Sequence, residues 1–183
     1  MKTVSKIFVL LVLLALVGCK STEEKLAEKL VACDGAACNE IMKELVQLPL
    51  EKQLTVNQLM MLDTNYQKKM KRKAAVEKMD LISVNAEWYI KMQSAGFEAT
   101  DKIMDFRRIG FTYDSGNEFL IMEGEDFSFE ASSLVELDEC PADSKWIVMP
   151  VVTGKDLTYT CSIVSQNEKA CAEISEKFLS LCK

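Results

Sequence analysis

From Asn65 to Ala95 the chain carries neither proline nor glycine. Tyr66, Met70, Ala74, Met79, Leu81, Ile82, Ala86, Tyr89 and Ile90 recur there mostly at steps of three and four, the spacing of one covered helix face. The stretch therefore predicts a single helix, about 45 Å long at 1.5 Å per residue. Thr64-x-x-Gln67 reads as its N-terminal cap and Gly96 as its C-cap. So long and one-sided a helix needs a second layer against it.

The sequence after Gly96 supplies one. Ile109–Tyr113, Phe119–Glu123, Phe127–Ala131, Trp146–Val152 and Leu157–Val164 are short, aromatic and β-branched. Turn signals separate them at Asp114-Ser115-Gly116, Gly124-Glu125-Asp126 and Gly154-Lys155-Asp156. Four to five such strands joined by short turns make an antiparallel meander. A final helix, Asn167 to Leu181, opened by Ser165-x-x-Glu168, buries Ala170, Ile174, Phe178 and Leu181. The predicted class is α+β.

Upstream, Ser21-x-x-Glu24 opens a helix over 22–32, and Cys33-Asp34-Gly35-Ala36-Ala37-Cys38 interrupts it. Asn39 to Leu48 resumes before Pro49, and Thr55 to Leu62 is helical again. Residues 1–18 read as a leader, 19–63 as a helical segment and 64–183 as the α+β domain. The leader has a basic head, Lys2 and Lys6, and a run from Ile7 to Val17 without a polar side chain. Eleven residues are too few to span a bilayer as a permanent helix, which is the build of an export signal.

Small residues then lead into a cysteine, and Leu16-Val17-Gly18-Cys19 resembles the lipobox of bacterial lipoproteins. The resemblance implies cleavage before Cys19, a diacylglycerol on its sulfur and an acylated amino terminus. It also implies a membrane as the first partner. Lys20 stands where lipoproteins kept in the inner membrane of diderm bacteria commonly have Asp, so an outer-membrane site facing the periplasm is expected in such an organism. Only Lys20 precedes the Ser21 cap, so folded structure starts within about 10 Å of the head groups.

Without residues 1–18 the chain keeps 20 basic and 28 acidic residues, a formal charge of −8. That charge gives it no electrostatic reason to seek nucleic acid. Besides Cys19 it has Cys33, Cys38, Cys140, Cys161, Cys171 and Cys182. An even number in an exported chain favours disulfides; buried thiols are the alternative. Gly35 lets the chain turn so that Cys33 and Cys38 can meet, the rival being a reach to the C-terminal cysteines. Cys140 and Cys161 flank the last strand pair and are read as a clamp on it. Cys171 and Cys182 would sit about 16 Å apart on a straight helix and cannot join each other unless that helix breaks; their partners stay open.

Val84-Asn85-Ala86-Glu87-Trp88-Tyr89 on the long helix, Ile109-Gly110-Phe111-Thr112 in the loop after it, and a meander with a late cysteine pair resemble the soluble head of type IV pilins and pseudopilins over residues 64–164. That implies a shared head fold. Pilins begin with a cleaved Gly followed by Phe and a helical Glu; this chain has the lipobox instead, so the resemblance does not extend to their route of filament assembly.

Histidine is absent, which removes His-dependent triads and the commonest zinc ligand. Asp114-Ser115-Gly116 is similar to the aspartic protease loop but occurs once, where those residues suit a tight turn. Glu123-Gly124-Glu125-Asp126 lacks the alternating acids of a calcium loop and reads as a solvated turn. Lys68, Lys69, Lys71, Arg72 and Lys73 could meet anionic head groups or an acidic partner; the plainer reading is a solvated face. Methionines are scattered, without a copper-binding repeat. No cofactor and no metal is implied. The expectation is a non-catalytic, membrane-tethered protein with a structural or interaction role toward an unidentified envelope partner. The alternatives are a carboxylate-dependent envelope hydrolase and a small-ligand carrier with an apolar cavity between helix and sheet.

Overall fold

The computed structural model describes residues 20–183. The leader, the lipobox and Cys19 itself lie outside the described residues. The chain divides after Lys69, inside the long helix, into two compact units.

The first unit holds α1 (Thr22–Ala32), α2 (Ala36–Val46), α3 (Leu50–Leu62) and the opening of α4 (Thr64–Thr100). At α1 the expected capping box is complete: Ser21 Oγ accepts from the Glu24 amide, and the Glu24 carboxylate accepts from the Ser21 amide. Leu26, Ala27 and Leu30 of α1, Leu45 of α2 and Val56 of α3 form a small core. Pro49 ends nothing within a helix; it caps α3, which starts at Leu50 rather than at Thr55, since proline is well suited to the edge of a first turn. Cap duty at α4 falls to Asp63, one residue before the expected Thr64: its Oδ1 accepts from the amides of Asn65 and Tyr66.

In the second unit α4 packs against a C-terminal sheet and helix, an α+β arrangement. The sheet is a four-stranded antiparallel meander in the order β1 (Phe119–Glu123), β2 (Phe129–Ser133), β3 (Lys145–Thr153), β4 (Asp156–Val164). Phe119, Ile121, Phe129, Ala131, Trp146 and Val148 are buried on its inner face, together with Met79, Ile82, Ala86 and Tyr89 of α4. Pro150 sits in β3 beyond the last residue paired to β2, where its missing amide costs no ladder bond.

Three further expectations are corrected. Gly96 does not end the helix, which runs on to Thr100; a Cβ at Gly96 would stand 2.7 Å from Met104 Cε and 3.2 Å from Ile109 Cγ2, so glycine serves close approach of the following loop. Ile109–Tyr113 is not a strand. It belongs to a turn-rich segment that sends Ile109 and Phe111 into the core. Its anchors are two buried amides eight residues apart on α4, which one helix face presents together. Asn85 donates to Asp114 O and accepts from Asp114 N, while Gln93 does the same for Met104. Each side chain imitates a strand neighbour, so this segment satisfies its backbone without joining the sheet.

The last helix is the third correction. It breaks at Ser175 into α5 (Glu168–Ile174) and α6 (Glu176–Ser180). Ser175 Oγ donates to Cys171 O and accepts from Trp146 Nε1, both buried. Asn167, not Ser165, caps α5 through the Ala170 amide.

Candidate functional site

All six described cysteines are in disulfides. Cys33–Cys38 closes the α1–α2 turn across a Cα separation of 5.3 Å, as expected from Gly35, which adopts φ +57°. The expected Cys140–Cys161 clamp does not form. Cys140 bonds Cys171 and Cys161 bonds Cys182, with Cα separations of 4.7 and 5.5 Å. Register explains this: Cys161 lies opposite Val148, in mid-strand, and faces the C-terminal helices. Both bridges therefore tie those helices to the rest of the second unit.

The five cations of the α4 basic run divide by partner. Lys69 Nζ lies 2.5 Å from Asp34 Oδ1 and donates to Cys33 O at 2.6 Å, closing the end of α1 in the first unit. There its charge also complements the C-terminal helix dipole. Arg72 pairs with Glu173 at 2.8 Å in the second unit, and the guanidinium holds the Glu173 carboxyl below the usual carboxylate range. Lys73 reaches Glu77 at 3.9 Å. Lys68 and Lys71 are exposed.

Several carboxylates have structural occupations, while Glu125 and Asp126 are exposed. Asp114 Oδ1 accepts from the Gly116 amide, a turn closed on Gly116 at φ +58°. Glu123 takes the Phe106 amide, and Glu130 pairs with Lys145 at 3.5 Å. Asp126 and Phe127 both have positive φ, and Tyr89 donates its hydroxyl to Phe127 O at 2.7 Å. Among the described residues no group of three His, Cys, Asp or Glu side chains converges on a metal-sized site. None of the helices there is long and apolar enough to cross a membrane.

Between α4 and the sheet, Tyr89 and Trp146 are fully buried and Phe119 is nearly so. Tyr89 packs with Phe106, Phe111 and Phe129 at ring separations of 5.6 to 5.9 Å. Burial pushes its phenol well above the ordinary range, against a smaller opposing effect from Gln93. Large apolar residues remain on the surface in two places. The outer face of the sheet shows Leu120, Met122 and Met149. In the first unit, Val46, Leu50, Leu54, Met61 and Leu62 are exposed, and sequence reasoning missed this second patch. Its signal was present: α3 carries apolar residues around its whole circumference, so one side had to stay open.

No protein-family model matches the chain, and no curated protein or solved structure matches it.

Proposed function

We propose that this chain is an exported lipoprotein, held at a bacterial membrane by acylated Cys19, whose work is structural or protein-binding rather than catalytic. One observation carries most of the reading. The six described cysteines pair with one another, and the seventh in the sequence, Cys19 at the end of the apolar leader, is not needed for those three bridges. A chain stapled three times is built for an oxidising compartment, and a remaining cysteine behind an export signal fits acylation.

The interaction role draws on what the side chains already do. Of the carboxylates singled out by sequence, Asp114 and Glu123 accept from backbone amides, so a hydrolase that used either would have to break a structural bond to free its acid. A ligand carrier needs space between helix and sheet; Tyr89, Phe119 and Trp146 occupy it. The order of long helix, loop and four-stranded meander also fits a pilin-like head, here placed on a lipid anchor in the outer membrane if the cell is diderm. Exchange of Cys19→Ser tests the reading: acyl label and membrane recovery should be lost together, with the leader uncut. Crosslinking the wild-type protein in cells should capture an envelope partner. Unchanged fractionation of the Ser variant would rule the anchor out.

A further inference from the structure

We infer that the outward stripe of α3 lies in the membrane surface beside the anchor, so that the first unit contacts the bilayer directly; this rests on the anchored reading above. Val56 is fully buried in the unit, and Leu59 and Met60 pack beside it. On the opposite side Leu50, Leu54 and Met61, at i, i+4 and i+11, are 71%, 54% and 65% exposed. Leu62 and Val46, at 76% and 68%, widen the stripe at its two ends. A helix apolar all round is ordinarily buried, and an exposed patch of this kind marks a binding surface.

The occupant follows from where the chain leaves the structure. Cys19 is two residues before the Ser21 cap, a reach of about 7 Å. The start of α3 lies at that same end of the unit, because Lys52 Nζ is 2.9 Å from Glu23 Oε1 in the first turn of α1. Leu50 and Leu54 therefore flank the anchoring end, while Met61 lies about 16 Å further along the helix axis. Lys52 is paired with Glu23 and nearby Lys43 with Glu40. Asn57 and Gln58, which interrupt the stripe, are neutral. Attraction would come from apolar burial into the head-group and acyl boundary rather than from anionic lipid, so it should resist salt.

The test uses the full lipidated protein in phosphatidylethanolamine and phosphatidylglycerol vesicles carrying a fraction of phospholipid with a diazirine in its acyl chain. After illumination, proteolysis and mass spectrometry, lipid adducts should appear on peptides covering residues 46–62. Their yield should hold when salt is raised to about 1 M. The double variant L50E/L54E alters exposed positions and should keep its circular dichroism spectrum while the yield drops roughly tenfold or more. Adducts confined to the Cys19 peptide would overturn the inference and leave the anchor standing. So would crosslinks between the α3 helices of two copies without lipid adducts, which would make a second copy the occupant. Protein that fails to float with the vesicles and carries no lipid on Cys19 would overturn the anchored reading and this inference together.

Discussion

At the scale of single residues, Asn85 and Gln93 decide how the 101–118 segment is held. Both are buried, and each supplies a donor and an acceptor to one backbone unit of that segment. Asn85→Leu or Gln93→Leu keeps approximate volume but leaves a peptide group unpaired, and each should cost about 1–3 kcal/mol in denaturant unfolding. Val84→Ala, at an exposed neighbour, should stay within about 0.5 kcal/mol. Equal losses at all three sites would contradict the role given to the amides. Tyr89 adds a pH dependence. Its folded pKa is raised above the unfolded value near 10, so the stability linked to its neutral form is intact below about pH 10 and drains away as pH climbs beyond it. Denaturant midpoints taken at about pH 8 and pH 11 should fall more steeply for wild type than for Tyr89→Phe. Identical slopes would contradict this. Neither amide could be singled out from sequence, because a polar residue on a helix declares its partner only once the facing loop is known.

At the scale of elements, the turns and cores were easier to read than the ends. The periodicity of α4 and the turn residues of the meander placed the helix and four strands. Boundaries failed where a tertiary contact outweighed a local rule. Gly96 illustrates the case: glycine is a poor helix interior residue, yet the Met104 and Ile109 side chains pack over its bare Cα. Gly96→Ala should change stability by less than about 1 kcal/mol, since the flexible Met104 terminus can yield while helix propensity improves. Gly96→Leu should destabilise by about 1–3 kcal/mol through overpacking, read from the same denaturation curves. Cys33–Cys38 was legible from Gly35, but the partners of the other four cysteines were not, for a similar reason. Six cysteines permit fifteen pairings, and the choice required knowing that the last helix breaks at Ser175 and that Cys161 faces it. By loop entropy, opening Cys140–Cys171 with paired serines should cost about 4 kcal/mol and opening Cys33–Cys38 about 2 kcal/mol. Thermal unfolding of the two variants should preserve that order, and the reverse order would contradict the entropic account.

At the scale of the whole molecule, two compact units share one helix, the sequence-based division at Thr64 falling a turn and a half before the division seen after Lys69. The α+β class could be read from element order alone; the apolar circumference of α3 signalled an open stripe but not its occupant, since an apolar residue on a short helix announces burial without saying in what. In the proposed reading Cys19 joins the two halves of the account: export would bring the oxidising conditions that six paired cysteines call for, and acylation would use the seventh. The most direct measurement is the intact mass of the full protein extracted from bacterial membranes, before and after reduction. The expected species begins at Cys19, carries the added mass of diacylglycerol with or without an amino-terminal acyl chain, and gains six hydrogens on reduction. A species with unmodified Cys19, with residues 1–18 retained, or with a mass unchanged by reduction would contradict the account.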